Sequence, residues 1–263
     1  ELNEDEKKYQ IALSLIEGVG DVIGKKLLAF TGSAKAVFFA KRKDLEKIDG
    51  IGQVLIKAIL SADVLARAEQ ELKWMEKEGV NHLFYGDKKY PNRLKQCEDA
   101  PLNLFYKGDI DWNNEKFICI VGTRKASNFG RQFTNDLVKE LVPYNPIIVS
   151  GLAHGIDVAA HKAALQYGLQ TIAVFAHAFD RVYPAAHANL AKTIAANGCL
   201  LSDYLSGTIP LPQNFASRNR IVAGLSDATI VIESAAKGGS LITADIANSY
   251  NREVFAVPGN PTE

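Results

Sequence analysis

Short apolar segments alternate with helical segments over the second part of the chain. The apolar segments are rich in Val and Ile and fall at residues 117–122, 146–151, 171–176, 199–204, 228–234 and 253–259. Continuous apolar strands that alternate with helices are typical of a parallel sheet buried on both faces. We therefore predict an α/β domain over residues 111–263, with a Rossmann-like, doubly wound and mostly parallel sheet.

The first part of the chain contains one pattern twice. Residues 16–28 (IEGVGDVIGKKLL) and 48–60 (IDGIGQVLIKAIL) both place Gly-apolar-Gly before an amphipathic helical segment. The repeat predicts a small all-α helix-hairpin-helix (SAM-like) domain over residues 1–66. Helix N-terminal amides in such turns can hold a DNA phosphate, but the turns can also serve to pack short helices or to bind a partner. Acidic residues beside the turns favour the structural or partner-binding role; they are Glu17, Asp21 and Asp49, against Lys25, Lys26 and Lys57.

Residues 67–110 are expected to join the two domains. Apolar residues at helical spacing predict a linking helix within residues 62–80, which Gly79 ends. Residues 82–110 contain short aromatic-rich segments broken by proline and glycine, which indicate an edge strand and a lead-in to the sheet. The basic cluster in this region is interpreted as a solvated loop; its members are Lys88, Lys89, Arg93 and Lys95.

The amino-acid composition limits the partners, the cellular compartment and the membrane association that can be expected. Thirty basic residues balance thirty acidic ones among 263, so a nucleic-acid site must be a local basic patch. The three cysteines are far apart in sequence, which fits a reducing compartment and indicates neither a disulfide framework nor a zinc site. No apolar run is long enough to span a bilayer, and the acidic N-terminus does not resemble a signal peptide. We therefore expect a cytoplasmic protein without membrane contact, metal or cofactor.

The loops that follow the predicted strands carry the candidate chemistry. In an open α/β sheet, ligands bind beyond the carboxyl ends of the strands. Here these loops combine small residues, hydroxyls and helix starts, which suits backbone amides that hold phosphate oxygens. Four arginines are expected at the same rim: Arg124, Arg181, Arg218 and Arg220. The sequence therefore predicts an anion-binding cleft built from several loops.

Catalytic and nucleotide signatures are missing from these loops. GxGxxG does not follow the first strand, and no GxxxxGK[ST] occurs. Ser150 lacks the GxSxG elbow of a nucleophilic serine. Asp157 lies at a predicted helix start, where a carboxylate caps free amides more readily than it orients the His154 imidazole. His161 is interpreted as a packing or hydrogen-bonding residue, and no catalytic residue is predicted.

Ordered motifs along the chain resemble the DprA/Smf family of DNA-processing proteins. They cover roughly residues 82–263 and read VGTRKAS, SGLAHGID, DRVYP, RNRIVAGLS, IVIES, GGSLITA and REVFAVPG. The resemblance implies a non-enzymatic, sequence-nonspecific single-stranded DNA-binding protein of natural transformation. It also implies a homodimer formed through the Rossmann-like domain, protection of incoming DNA, and RecA as the recombinase loaded onto it.

The same resemblance implies the binding residues. Arg124 and Arg181 would hold the DNA backbone, and Arg218, Asn219 and Arg220 would add phosphate contacts or brace the loops. Amides, hydroxyls and neighbouring loop residues would complete the site; these are Gly122, Thr123, Ser150, Gly151, His154, Gly155, Asp157, Gly238, Gly239 and Ser240. An aromatic side chain would stack on unpaired bases, the candidates being Phe179, Tyr183 and Phe215.

The chain departs from the family pattern in two loops and in extent. Ala176 and Ala178 stand where glycines are usual, and Phe215-Ala216-Ser217 replaces the usual Phe-Pro at the turn before the RNR motif. A C-terminal winged-helix domain, which many members carry, is not among these 263 residues.

Two other hypotheses remain open at the level of sequence. The GGSLITA segment also resembles the phosphate loop of nucleoside-monophosphate phosphoribohydrolases, for which Glu233 is the nearby candidate acid. Alternatively, the N-terminal repeat is the sole DNA-binding element, and the sheet domain serves as a dimerisation scaffold.

Overall fold

The computed structural model describes residues 4–114, 116–235 and 238–258. The chain divides into two compact units. The first contains Glu1–Asp87 and Glu98–Leu104, and the second contains Lys88–Cys97 and Phe105–Glu263. These bounds differ from the predicted boundaries at residues 66 and 110. The difference arises because Phe84 and Leu102, from the segment expected to lead into the sheet, are buried in the helical core.

The first unit is a set of short helices with one strand. Its elements are α1 (Glu4–Leu15), α2 (Asp21–Thr31), α3 (Ala34–Phe38), α4 (Arg42–Leu45), α5 (Gln53–Leu60), α6 (Leu65–Glu78) and β1 (Asn81–Phe84). The helix α6 corresponds to the predicted linking helix, and it packs against α1 through a face that includes the buried Ala68 and Met75.

The repeated sequence pattern folds into a repeated backbone. Gly18 and Gly50 both have φ +81°, and Gly20 and Gly52, which precede α2 and α5, both have φ −83°. One buried apolar residue in each helix occupies the equivalent position, Leu27 in α2 and Ile59 in α5. The predicted helix–turn–helix repeat is therefore present in this unit.

The second unit is built on a mostly parallel sheet. Its elements are α7 (Asn92–Lys95), β2 (Asn103–Gly108, which starts in the first unit), β3 (Phe117–Gly122), α8 (Asn128–Leu141), β4 (Ile147–Ser150), α9 (Ile156–Gln166), β5 (Thr171–Val174), α10 (Ala188–Asn197), β6 (Cys199–Ser202), α11 (Pro212–Leu225), β7 (Ala228–Ile232), α12 (Gly239–Ser249) and β8 (Glu253–Ala256).

Helices flank this sheet and bury the strands. The strands lie in the order β2-β6-β5-β4-β3-β7-β8, and only β2, which pairs with β6, is antiparallel to its neighbour. All residues of β4, β5 and β6 are buried, as expected for strands covered on both faces. This confirms the predicted Rossmann-like α/β fold, in which the carboxyl ends of the parallel strands meet at one edge.

Among the described residues, every helix is too short or too polar to cross a membrane.

The loops after β3 and β4 touch each other through Gly155. Ile156 N donates to Thr123 O at 3.2 Å, which brings the start of α9 against the chain that leaves β3. Gly155 has φ +82° and ψ −122°, and a β-carbon at this position would overlap Thr123 O. Only glycine combines this dihedral with such close approach of two backbones. Gly155 therefore serves the fold of the loops.

The variant Gly155→Ala should destabilise the protein strongly. It adds a backbone clash to the strain of a positive φ, for which we expect a loss of more than about 3 kcal/mol in the free energy of unfolding, measured by urea denaturation. Gly168→Ala is the matched control, because Gly168 also has a positive φ, +74°, but has open space around its β-carbon position. Equal losses in the two variants would contradict the role assigned to Gly155.

His161 is a neutral imidazole in the core of the second unit. It is fully buried on α9, and its Nδ1 lies 2.7 Å from Thr171 Oγ1 on β5. Burial lowers the pKa of His161 to about 3, and the positive charge of Arg218 acts in the same direction. The residue is thus a packing and hydrogen-bonding histidine, as predicted.

Acidification should destabilise the fold in part through His161. Between about pH 6.5 and 3, the unfolded chain binds a proton at this position and the folded chain does not, so stability falls as the pH is lowered. His161→Gln should flatten the dependence by up to about 1.4 kcal/mol per pH unit. Burial also lowers the pKa of His177, which accounts for part of the slope that remains. Chemical denaturation across this pH range tests the prediction, and identical slopes in both proteins would refute it.

Candidate functional site

A cavity of about 390 Å³ lies at the carboxyl ends of β3, β4 and β7. It is lined by the end of β3 and the loop that follows, by the loop before α9 and the first turn of that helix, by α11, and by the loop after β7 with the start of α12. Its lining residues are Val121, Gly122, Thr123, Arg124, Ala153, Asp157, Pro212, Phe215, Ala216, Arg218, Asn219, Ala235, Gly238, Gly239, Ser240, Ile242 and Thr243. The cavity lies where ligands bind in open α/β sheets.

The N-terminus of α12 opens into this cavity. Gly238 is its N-cap, and the amides of Gly239 and Ser240 belong to the first turn, where no intrahelical acceptor exists. Among the described residues, apart from the chain neighbours and the backbone of the helix itself, no atom lies within 4 Å of a β-carbon position at Gly239, so a ligand can approach the backbone there. The Ser240 hydroxyl is 2.7 Å from that of Ser234, and Asn219 Nδ2 donates to Gly239 O at 3.4 Å. These contacts hold the helix start in place beside the cavity.

Arg124 supplies an exposed positive charge beside the cavity. It follows β3 and lies over the Phe215 ring, with the guanidinium carbon 5.5 Å from the ring centroid. Phe215 in turn lies 5.7 Å, centroid to centroid, from Tyr183. An exposed guanidinium next to helix N-terminal amides attracts an anion to this edge of the sheet.

Arg218 lies beneath the cavity as a buried brace. Its side chain is on α11, and the residue is only 4% exposed. The guanidinium donates to Gly151 O at 2.9 Å and to Val174 O, so it ties together the ends of β4 and β5. Burial lowers the pKa of Arg218, and the nearby Asp157 carboxylate opposes that shift.

Asp157 completes this buried network from α9. One carboxylate oxygen accepts hydrogen bonds from the amides of Gly151 and Ala153, both at 3.2 Å. Burial raises the pKa of Asp157, and the Arg218 charge works against the rise. Asp157 thus caps loop amides, as expected, and the donors belong to the loop that precedes the helix.

The structure brings most of the predicted residues to one cavity. The cavity is lined by Gly122, Thr123, Arg124, Asp157, Arg218, Asn219, Gly238, Gly239 and Ser240 from the predicted set. The four predicted arginines have different surroundings. Arg220 forms an ion pair with Asp203 at 2.8 Å, Arg181 is exposed on the loop after β5 outside the lining, and Arg218 is buried.

Four other predicted residues have internal roles or lie outside the lining. The buried Ser150 hydroxyl donates to Ile120 O at 2.6 Å, so it holds two strands together. Gly151 uses its amide and its carbonyl within the Asp157–Arg218 network. Gly155 joins two loops, and the exposed His154 ring packs against His187 at 4.6 Å between centroids. The Thr123 amide also donates internally, to Glu233 O at 3.0 Å.

Some residues that line the cavity were not predicted from the sequence. Thr243 lies one helical turn after Gly239 on α12, so its position follows from helical periodicity once the helix start is known to face the cavity. Ala153 and Pro212 have no distinctive chemistry in the sequence.

The Glu233 carboxylate is hydrogen-bonded to Ser127 at the start of α8. Glu233 has φ +50°, and its carboxylate accepts from Ser127 N at 2.9 Å and from the Ser127 hydroxyl, the N-cap of that helix. It does not line the cavity. This position differs from that of an acid aimed at a bound nucleotide.

Two lysines of the helical repeat, Lys25 and Lys26, make contacts within the first unit. Lys26 donates to Asp49 O at 3.2 Å, and Lys25 donates to Glu98 O and lies over the Tyr85 ring. Within the described ranges, no group of three or more His, Cys, Asp or Glu side chains is arranged to hold a metal ion.

Solved structures with the same fold are similar to this chain. The X-ray structure of DNA processing protein A (DprA) from Streptococcus pneumoniae matches with a TM-score of 0.83 and 33% identity, over 97% of this chain and 88% of that one. A structure that describes the single-stranded DNA binding mode of DNA processing protein A from Helicobacter pylori matches with a TM-score of 0.64 and 31% identity, over 70% and 83% of the two chains.

Sequence relatives and a family model agree with these structures. Protein Smf of Synechocystis sp. is 36% identical over 97% of this chain, and DNA processing protein DprA of Bacillus subtilis is 42% identical over 70%. The chain spans 65% and 62% of the lengths of these two relatives. The model described as DNA recombination-mediator protein A matches residues 81–263. The chain therefore belongs to the DNA recombination-mediator protein A family, the DprA/Smf proteins that its motifs resemble.

Proposed function

We propose that this protein binds single-stranded DNA without sequence preference and holds the DNA backbone at the cavity beside α12. The observation that carries the proposal is the convergence of the Gly239 and Ser240 amides, the Arg124 guanidinium and the Phe215 ring on one cavity. Amides and guanidinium suit a phosphate, and an aromatic ring suits an unpaired base.

The available contacts favour backbone recognition. The first turn of α12 offers main-chain amides that can hold phosphate oxygens, and such contacts carry no information about base sequence. A concave cavity among loops accepts a flexible strand, whereas a stiff duplex requires an extended complementary surface. The H. pylori relative, described with a single-stranded DNA binding mode, supports this choice of ligand.

The biological setting is proposed from the family. The relatives include DNA processing proteins of B. subtilis and S. pneumoniae. On this basis the protein acts as a homodimer in natural transformation, where it protects incoming DNA and helps to load RecA onto it. Its role is binding without turnover. Ser150, His154 and Glu233 make separate internal or surface contacts, and neither His154 nor Glu233 lines the cavity.

Arg124→Ala should weaken binding of an oligo-dT strand at least tenfold. Loss of one charged contact to phosphate removes about 1–3 kcal/mol of binding free energy and lowers the salt-dependence slope by about 0.7. The melting temperature should stay near that of the wild type, because Arg124 is exposed. Fluorescence anisotropy in a salt titration provides both measurements.

Two controls accompany this variant. Arg131→Ala removes an equally exposed arginine on α8 that lies outside the cavity lining, and it should bind as the wild type does. The double variant Lys25→Ala, Lys26→Ala tests the helical repeat. If that double variant loses binding while Arg124→Ala does not, the DNA site lies on the helical unit and the proposal fails.

Arg218→Ala should destabilise the fold as well as the site. It removes the guanidinium donor from two carbonyls and the positive charge that acts on the buried Asp157 carboxylate, for which we expect a loss of about 3–5 kcal/mol in the free energy of unfolding. Arg181→Ala, at an exposed arginine, should leave the melting temperature unchanged and weaken binding less than Arg124→Ala. Denaturation curves decide the matter, since an unchanged stability of Arg218→Ala would mean that Arg218 is not a brace.

A further inference from the structure

Two aromatic rings next to the cavity form an exposed surface, which we call the aromatic ledge (Tyr183 and Phe215). Tyr183 is 45% exposed, a large fraction for an aromatic side chain, and Phe215 is half-buried and lines the cavity. The ring centroids are 5.7 Å apart and the ring planes are tilted by 58°, so Phe215 does not stack in parallel on the Tyr183 ring. The ledge therefore continues the cavity outward, from Arg124 over Phe215 to Tyr183.

The loop that carries Tyr183 is anchored at several points. Asp180 accepts from Gly207 N at 2.6 Å, and Ala178 N donates to Thr208 O at 3.2 Å. On the other side of Tyr183, the His187 ring donates to Leu152 O at 2.9 Å. A ring held on a fixed loop loses little conformational freedom when a flat ligand stacks on it.

The structure separates Tyr183 from the third aromatic candidate. Phe179 packs into a core cluster beside Phe175, with 5.5 Å between ring centroids, and Lys107 lies over its ring. That ring contributes to folding of the loop. Tyr183 is the more exposed ring of the pair beside the cavity, and it is not a member of the core cluster against which Phe179 packs.

We infer that the aromatic ledge is a second subsite, in which Tyr183 stacks on an unpaired base of the strand whose phosphate is held at the cavity. The inference rests on the proposed function and assigns a base-binding residue to the same site. An aromatic face accepts any base, so the subsite adds affinity for single strands without sequence preference. Arg124, whose guanidinium lies over the Phe215 ring, suits a phosphate next to that base.

A strand without bases separates stacking from phosphate contact. Anisotropy is measured with the full chain on oligo-dT and on an equally long oligomer of abasic sites, which keeps the phosphates. Tyr183→Ala should weaken binding of oligo-dT about fivefold or more and leave binding of the abasic oligomer unchanged. Tyr183→Phe should retain wild-type binding of both. Tyr144→Ala is the matched control, because Tyr144 is 61% exposed and lies outside the cavity lining.

The possible results distinguish failure of the base subsite from failure of the proposed DNA-binding function. If Tyr183→Ala is folded and binds oligo-dT as the wild type does, the ledge is not a base subsite and the inference is overturned. Tyr183→Ala could lose binding to both oligomers because the variant unfolds, which melting curves would show. In that case Tyr183→Leu replaces it, since leucine keeps the bulk of the side chain without a ring. Tyr183→Leu should weaken binding of oligo-dT and leave binding of the abasic oligomer unchanged. If Tyr183→Leu also binds normally, the inference is overturned. Failure of the proposed function would differ, because the wild-type protein would then bind neither oligomer.

Discussion

The geometry of the site depends on the buried guanidinium of Arg218. Parallel strands hold each other through backbone hydrogen bonds, but the carbonyls at their carboxyl ends leave the ladder and must find other donors. Arg218 provides these donors at Gly151 and Val174, and its charge lies close to Asp157. Asp157 then fixes the amides of Gly151 and Ala153. One side chain on α11 thereby sets the path of the chain after β4 and the floor of the cavity.

This arrangement separates the charge that shapes the site from the charge that meets the ligand. Arg218 is buried among carbonyls and a carboxylate, so its charge is largely balanced within the protein. Arg124 is exposed and lies on an aromatic ring, where its guanidinium stays accessible to an anion. Two arginines of one cavity therefore have different physical roles, and their substitution has different consequences for folding and for binding.

Much of this could be predicted from the sequence, and the remainder has identifiable causes. The strands are local apolar runs, and parallel strands share one edge, so the loops after β3 and β7 were expected together. The roles of Arg218 and Arg220 were not separable, because two residues apart on a helix they point to different faces, and only tertiary packing decides which face meets the sheet. The first unit extends beyond residue 66 for a similar reason. Ala68 and Met75 become buried only when α6 lies against α1.

Glu233 carries a consequence for the selectivity of the fold. The helix after the first strand of a Rossmann-like sheet commonly receives the pyrophosphate of a dinucleotide at its N-terminus. Here that position, at the start of α8, already holds an internal carboxylate bound to Ser127, and the same carboxylate would overlap any β-carbon at Gly130. A free dinucleotide that approaches this helix meets a negative charge in place of vacant amides. The fold is one widely used for dinucleotide cofactors, and in this chain the protein's own carboxylate occupies the helix end that receives their pyrophosphate.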